Sequence, residues 1–278
     1  MTRDWTRCKR SLPCPQCGKF DFCRIGTKVV HCMRIASDKP NTGDMGGWFH
    51  PLSSQAKQFV RELEKPKVRI NAVKMMAEWT KRTSVRQYAL FAHDLGVDLL
   101  ALRMLSPAWS YDHQAWAFPM RWPNGLIVGI RLRFDDGRKL AVTGSHSGLF
   151  IPTRWDSKRA WIAEGASDVC ALLTLGLPAV GRASCNEGGA MLAKFIRLHG
   201  IREVVIVADH DTDKFRPDAS RYNPGIGGAK ALAAQLPVRS CVWLPPCKDA
   251  REYLRAGGTK QLIESQIQNL VWKQPSQI

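Results

Sequence analysis

Two acidic clusters, each closing an apolar run, constrain this chain more than any other feature. Ala160-Trp161-Ile162-Ala163 ends at Glu164-Gly165, with Asp168 just beyond. Val204-Val205-Ile206-Val207-Ala208 ends at Asp209-His210-Asp211-Thr212-Asp213. Short apolar, β-branched runs that stop at Gly or Asp read as buried parallel strands. In an open α/β sheet, ligands gather at the carboxyl ends of such strands. Glu164, Asp209 and Asp211 are therefore expected to converge on one crevice. Clustered carboxylates repel one another unless a cation sits among them. An all-oxygen donor set selects Mg²⁺ or Mn²⁺.

The surrounding pattern alternates. Strands are expected at 160–163, 178–183, 203–208 and 239–243, with helices at 166–175, 188–199, 226–236 and 249–256. Such alternation predicts a mostly parallel sheet flanked by helices. The stretch from Thr212 to Pro224 is long for a strand-to-helix connection and carries Lys214, Arg216 and Arg221. It reads as a substrate-contacting lid or a basic loop. In an extended segment Asp209, Asp211 and Asp213 share a face, which makes Asp213 a further candidate ligand unless the insertion carries it away. His210 points to the other side and reads as a packing or solvent-facing residue. Asp168 stands one helical turn past Glu164, either as a helix N-terminal charge or as support for the metal.

The front of the chain is rich in cysteine. Cys14-Pro15-Gln16-Cys17-Gly18 is a knuckle-like turn, and Cys23 and Cys32 complete a C-x₂-C-x₅-C-x₈-C set. Four thiolates suit tetrahedral Zn²⁺ in a closed, structural site. His31 and Cys8 are rivals for the fourth position, Cys8 reading rather as a free thiol near a mobile terminus. Residues 1–50 hold few large apolar side chains, and a segment so poor in core material needs a metal to fold. Its end, Gly46-Gly47-Trp48-Phe49-His50, reads as a Gly-rich turn and an aromatic strand end. Cys170, Cys185, Cys241 and Cys247 read as small buried residues.

In the middle, residues 53–67 read as a short charged helix and linker. Helical spacing recurs at Val73, Met76, Ala77 and Thr80, and again at Val85, Tyr88, Ala89 and Ala92 behind a Ser84 N-cap. Residues 95–105 read as a turn and another helix. Trp116–Arg121 and Ile127–Phe134 then read as two strands joined at Pro123-Asn124-Gly125, a strong hairpin signal. Ile130, Leu132 and Phe134 alternate with Arg131 and Arg133, and Lys139 follows. The three basic residues are candidate phosphate contacts, or else a solvated strand face. Arginine favours bidentate phosphate binding.

Glu164-Gly165 with Asp168, Asp209-x-Asp211, the Gly-led helix Gly227-Gly228-Ala229-Lys230-Ala231, and Leu244-Pro245-Pro246-Cys247-Lys248-Asp249 together resemble the toprim domain of DnaG-type primases, topoisomerases and some nucleases. The resemblance covers roughly residues 159–256, and the cysteine module ahead of it is similar to the zinc module of bacterial and phage primases. It implies an α/β fold: a toprim-like parallel sheet with flanking helices, preceded by a small α+β subdomain and an N-terminal zinc-binding module. The implied divisions are 1–52, 53–158, 159–256 and a C-terminal helix and tail at 257–278. Glu164, Asp209 and Asp211 become the catalytic residues, supported by Asp168, Asp213 and Asp249. Cys14, Cys17, Cys23 and Cys32 become the zinc ligands. Arg131, Arg133, Lys139, Lys230 and Lys248 become contacts to nucleic-acid or NTP phosphates. The implied reaction is metal-dependent primer synthesis from NTPs on single-stranded DNA. A toprim nuclease and a nonenzymatic zinc-dependent nucleic-acid adaptor are the alternatives.

The charge balance agrees with a polyanionic partner. Across 278 residues, 41 Lys and Arg face 24 Asp and Glu, for a net charge of +17. No run approaches the ~18 apolar residues that span a bilayer, so no membrane association is expected. Nine cysteines without a secretion signal point to reduced thiols and a cytoplasmic setting. The sequence contains no Walker-type loop or helicase motor, so the expected helicase partner is a separate chain, in a phage or mobile-element setting.

Overall fold

The computed structural model describes residues 5–26, 28–42, 46–52, 70–183, 188–215 and 221–275. The chain forms two compact units, Met1–Val68 and Arg69–Ile278. The expected helix at 53–67 and Cys185 lie outside the described residues.

The first unit is a four-stranded antiparallel sheet of β1 (Thr6–Arg7), β2 (Arg24–Ile25), β3 (Val29–Cys32) and β4 (Trp48–Pro51). Trp48-Phe49-His50 is a strand, as its aromatic character suggested. Its small core consists of Cys8, Leu12, Cys14, Cys23, Ile25, Val30, Cys32 and Leu52. Cys8 is a free thiol, as the sequence suggested, but it does not stand apart from the fold. It is buried, its N–H donates to the Cys23 carbonyl, and burial followed by repulsion from Cys23 pushes its thiol up to about 11.

The second unit opens with α1 (Ala72–Arg82), α2 (Val85–Leu95) and α3 (Leu99–Met104). Ser84 caps α2 through a capping box with Gln87, which satisfies two backbone donors and contributes about 1 kcal/mol. The strands that follow are β5 (Ala108–Ser110), β6 (Ala115–Arg121), β7 (Ile127–Arg133), β8 (Lys139–Ala141), β9 (Leu149–Phe150), β10 (Arg159–Glu164), β11 (Ala179–Arg182), β12 (Glu203–Val207), β13 (Lys214–Phe215), β14 (Arg221–Tyr222) and β15 (Arg239–Trp243). All but β13 and β14 form a single sheet in the order β15-β12-β10-β11-β9-β6-β7-β8, with β5 on β6. β15, β12, β10 and β11 are mutually parallel. From β9 onward the pairing is antiparallel, so the sheet runs unbroken through residue 158.

Helices α4 (Ala166–Thr174), α5 (Gly189–His199), α6 (Pro224–Gln235), α7 (Ala250–Arg255) and α8 (Lys260–Gln268) flank this sheet. One face packs Trp161, Val205, Phe118 and Trp116 against α2, α4, α7 and α8. The other packs Ile162, Val180, Val204 and Ile206 against α5 and α6. Burial on both faces explains why the parallel strands read as continuous apolar runs rather than alternating ones. Each fully buried large side chain there contributes about 1.5–3 kcal/mol. Cys170 and Cys241 belong to these layers, whereas Cys247 is half-buried, a departure from the expected core placement.

Helix α6 begins two residues earlier than expected. Pro224 fills its first turn, where a missing N–H costs nothing, and the Asn223 side chain accepts from the Ile226 N–H. The sequence signal lay in Asn223-Pro224, outweighed by the later glycines.

Candidate active site and cysteine cluster

The parallel register sets the floor of the site. Ile162 pairs with Ile206 across β10 and β12, so Glu164 and Asp209 emerge side by side at the carboxyl ends of neighbouring strands. Gly165 follows in a left-handed conformation (φ 89°) that turns the chain straight into α4. The Lys139 Nζ sits 3.6 Å from the point where a Cβ would stand on Gly165, and an Asp168 oxygen 3.8 Å from it. A second glycine brings in α6. A Cβ on Gly225 would run into the Asp209 carbonyl oxygen, so only glycine lets the helix start close against the acidic segment.

Asp168 is buried on α4. It accepts from the Arg251 N–H (3.2 Å) and the Ser167 hydroxyl (3.3 Å), which ties α4 to α7. Burial, then repulsion from Asp249, pushes its carboxyl up to about 6 against the pull of Lys139 and Arg251. Asp209 is pushed up to about 8, first by burial and then by Asp168, Glu164, Asp249 and Asp211. Five carboxylates therefore act on one another. Asp211 is exposed and Glu164 half-buried, so the cluster opens to solvent. Such a set of oxygen donors, costly to ionise by itself, matches a hard divalent cation.

Across the cleft stands the hairpin. β7 and β8 pair Arg133 with Lys139 and Arg131 with Ala141, which puts all three basic side chains on one face. A cleft of about 90 Å³ is lined by Arg131, Arg133, Lys139, Glu164, Gly165 and Ser167, among others. This face is no plain solvated surface, because Trp116 and Phe118 share it and Trp116 stacks on Phe91 at 4.1 Å. Burial lowers the Arg133 pKa, with Arg251 adding to this and Asp168 and Asp249 opposing it.

The remaining candidates sit elsewhere. Asp249 caps α7 by accepting from the Glu252 N–H at 2.8 Å, yet still acts on Asp168 and Asp209. The exposed Lys248 contributes its backbone: its carbonyl accepts from His210 N–H (2.7 Å) and its N–H donates to Glu252. His210 is exposed, as expected. Lys230 is exposed on α6, outside the lining of the cleft. Asp213 leaves the acidic group. It pairs with Arg221 and Asn223 of the insertion, whose strands β13 and β14 form a two-stranded ribbon. Sequence reasoning missed Arg251, Asn223 and Arg182. The last is buried and pairs with Glu164 in register, and a charged residue closing the run 178–183 was its only signal.

In the first unit the sulfurs of Cys14, Cys17, Cys23 and Cys32 all lie within 4.8 Å of one another. His31 instead meets the Gly46 carbonyl, and Cys8 stands outside the cluster. Backbone N–H groups of Met33 and Ile35 donate to Cys23 and Cys32 at 3.3 and 3.4 Å. Burial raises the Cys17 thiol, but the Lys19 N–H and the neighbouring thiols outweigh it and bring Cys17 down to about 7. Four converging sulfurs, with backbone N–H donors on Cys23 and Cys32 and a lowered Cys17 thiol, fit a zinc module.

No family model and no curated protein matches the sequence. Solved structures do match its fold. The chain is similar to the DnaG catalytic core, with a TM-score of 0.55 and 14% identity over 72% of this chain and 79% of that one. It is similar to the primase fragment of the bacteriophage T7 primase-helicase protein, with a TM-score of 0.51 and 17% identity over 94% and 99%. The fold is that of the primase catalytic cores. The zinc-binding and RNA polymerase domains of Aquifex aeolicus primase are a further match, with a TM-score of 0.51 and 15% identity over 78% and 67%. Within this primase-core fold the parallel strands carry the acidic cluster and the antiparallel strands carry the basic face. Among the described residues, no helix is long and apolar enough to cross a membrane.

Proposed function

We infer that the protein is a toprim-type, primase-like nucleotidyltransferase that makes short primers from NTPs on single-stranded DNA. The observation that carries this is the facing of two opposite charge sets across one cleft. Glu164 lines that cleft with Arg131, Arg133 and Lys139, and Asp209 emerges beside Glu164 on the neighbouring strand, with Asp168 and Asp211 acting on it. In this assignment residues 1–52 are the zinc-binding module, 53–158 the first part of the catalytic core, 159–256 the toprim region and 257–278 the C-terminal helix and tail.

Glu164, Asp209 and Asp211 hold Mg²⁺ or Mn²⁺, while Asp168 and Asp249 add negative charge behind them. When bound, the cation neutralises triphosphate charge and favours the attacking hydroxylate. Arg131 and Arg133 receive phosphate oxygens on their planar donor forks, and Lys139 supplies a point charge above Gly165. The half-buried Arg133 feels the charges of Asp168 and Asp249, which favour its cationic form against burial. In this assignment Glu164 also takes the proton of the attacking hydroxyl. Cys14, Cys17, Cys23 and Cys32 hold a structural Zn²⁺ in the module that engages template. A replicative helicase is the partner that would supply that template.

The test uses zinc-loaded protein, single-stranded DNA, labelled NTPs and Mg²⁺ or Mn²⁺. New short products that vanish in Asp209→Asn/Asp211→Asn support primer synthesis. Template loss without products would indicate the nuclease instead. Wild-type activity in the double variant would remove the acidic cluster from the chemistry altogether.

A further inference from the structure

Asp213 continues the alternation of Asp209 and Asp211, so pattern alone offers it as a third ligand. Its contacts say otherwise. One of its oxygens accepts from the Arg221 guanidinium, and the other accepts from the Asn223 amide at 3.0 Å. The Asn223 amide nitrogen also donates to the Asp211 carbonyl. Its oxygen accepts from Ile226 and starts α6. One asparagine thus joins the backbone of the acidic segment, the side chain beyond it and the helix whose Gly225 packs on the Asp209 carbonyl.

We propose that Asn223 is a positioning residue, and that Arg221, Asp213 and Asn223 form a clasp that fixes Asp211 for the cation instead of adding a ligand to it. The inference rests on the cation site assigned above. Its physical basis is the state of Asp211, which is exposed at the end of a segment that follows β12 without strand pairing. A ligand there loses conformational freedom when metal binds, and a tether that removes this freedom beforehand raises affinity. The tether is built from the two ends of the insertion, so a connection too long for a strand-to-helix turn is closed at its base.

The ligand and clasp roles predict opposite signs. If Asp213 were a ligand, Arg221→Ala would free its carboxylate, remove a nearby cation and tighten Mn²⁺ binding. If Asp213 anchors a clasp, Arg221→Ala loosens the segment and weakens binding. Asn223→Ser isolates the tether further. Serine still caps a helix, the substitution changes no charge, and its short side chain cannot span the same three partners. Outer partners of a metal site are worth ~10-fold or more in affinity.

The experiment is Mn²⁺ titration followed by electron paramagnetic resonance on the zinc-loaded full chain, with helix content checked by circular dichroism. The expected result is weaker Mn²⁺ binding, by ~10-fold, in Asn223→Ser and in Arg221→Ala, with helix content unchanged. Arg221→Ala, in which the two roles predict opposite signs, serves alone if Asn223→Ser fails to fold. Tighter binding in Arg221→Ala, or wild-type affinity in Asn223→Ser, would overturn the clasp. The double variant Asp209→Asn/Asp211→Asn separates the two levels. If it also binds Mn²⁺ like wild type, the cation site itself is wrong. If it loses Mn²⁺ while the clasp variants keep it, only the clasp is wrong.

Discussion

At the scale of single residues, Asp209 is where fold and site are in conflict. Burial and four neighbouring carboxylates push its carboxyl to about 8, from an ordinary value of 3.8. Between those values the folded chain holds a proton that the unfolded chain has released. Stability of the protein free of Mg²⁺ and Mn²⁺ therefore falls as pH rises from about 4 to about 8, and levels off above. Asp209→Asn removes this cost, so its melting temperature should exceed wild type by a margin that grows from pH 5 to pH 8. Calorimetry on zinc-loaded protein without added Mg²⁺ or Mn²⁺ checks it. A margin that is flat or shrinks with pH would mean the carboxyl ionises freely. The same substitution, like Glu164→Gln and Asp211→Asn, is expected to abolish primer synthesis while leaving the fold intact. Each removes a ligand from a cluster that gains nothing from it in the absence of cation.

At the scale of elements, the hairpin of β6 and β7 shows what the sequence could and could not say. Asn124-Gly125 and the alternation of Ile130 and Leu132 with Arg131 and Arg133 gave both strands and their turn. They did not say what the arginine face would meet, because that depends on β9 pairing with β6 and β11 and so bringing β10 close. The parallel strands and their helices were legible to within a residue or two, since two-sided burial leaves an unbroken apolar run. The start of α6 and the fate of Asp213 were not, because both hang on Asn223, whose contacts span 12 residues. The hairpin also yields a test. If Arg131 and Arg133 bind phosphates, Arg131→Ala/Arg133→Ala should lower the salt dependence of single-strand binding, by roughly 0.7 in log–log slope for each phosphate that is no longer neutralised. Lys74→Ala/Lys81→Ala, on the exposed side of α1, removes the same charge elsewhere. Equal slopes in the two double variants would make the hairpin face ordinary basic surface.

At the scale of the whole molecule, the two units hold together for different reasons, and removing zinc should separate them. The unit Arg69–Ile278 has a sheet packed on both faces by large side chains such as Trp161, Trp243, Phe150 and Phe195. The unit Met1–Val68 has only Leu12, Ile25, Val30 and Leu52 as buried aliphatics among its described residues, and three of its remaining core members are the would-be ligands Cys14, Cys23 and Cys32. Without metal those three thiols are a poor core, and burial opposes the ionisation of Cys14 and Cys23. Metal binding and folding are then one event in this unit. Chelation should therefore abolish hydrogen-exchange protection of the Val29–Cys32 and Trp48–Pro51 amides, while protection of Arg159–Glu164 and Glu203–Val207 persists. About one zinc per chain should be found before chelation and should fall in Cys23→Ser/Cys32→Ser, by the four-thiolate rule. Template binding should weaken in the chelated protein, while Mn²⁺ added after removal of the chelator should still bind at the carboxylates. Persistent protection of the β3 and β4 amides after zinc loss would mean that the small apolar core suffices, and that the four cysteines are packing residues rather than ligands.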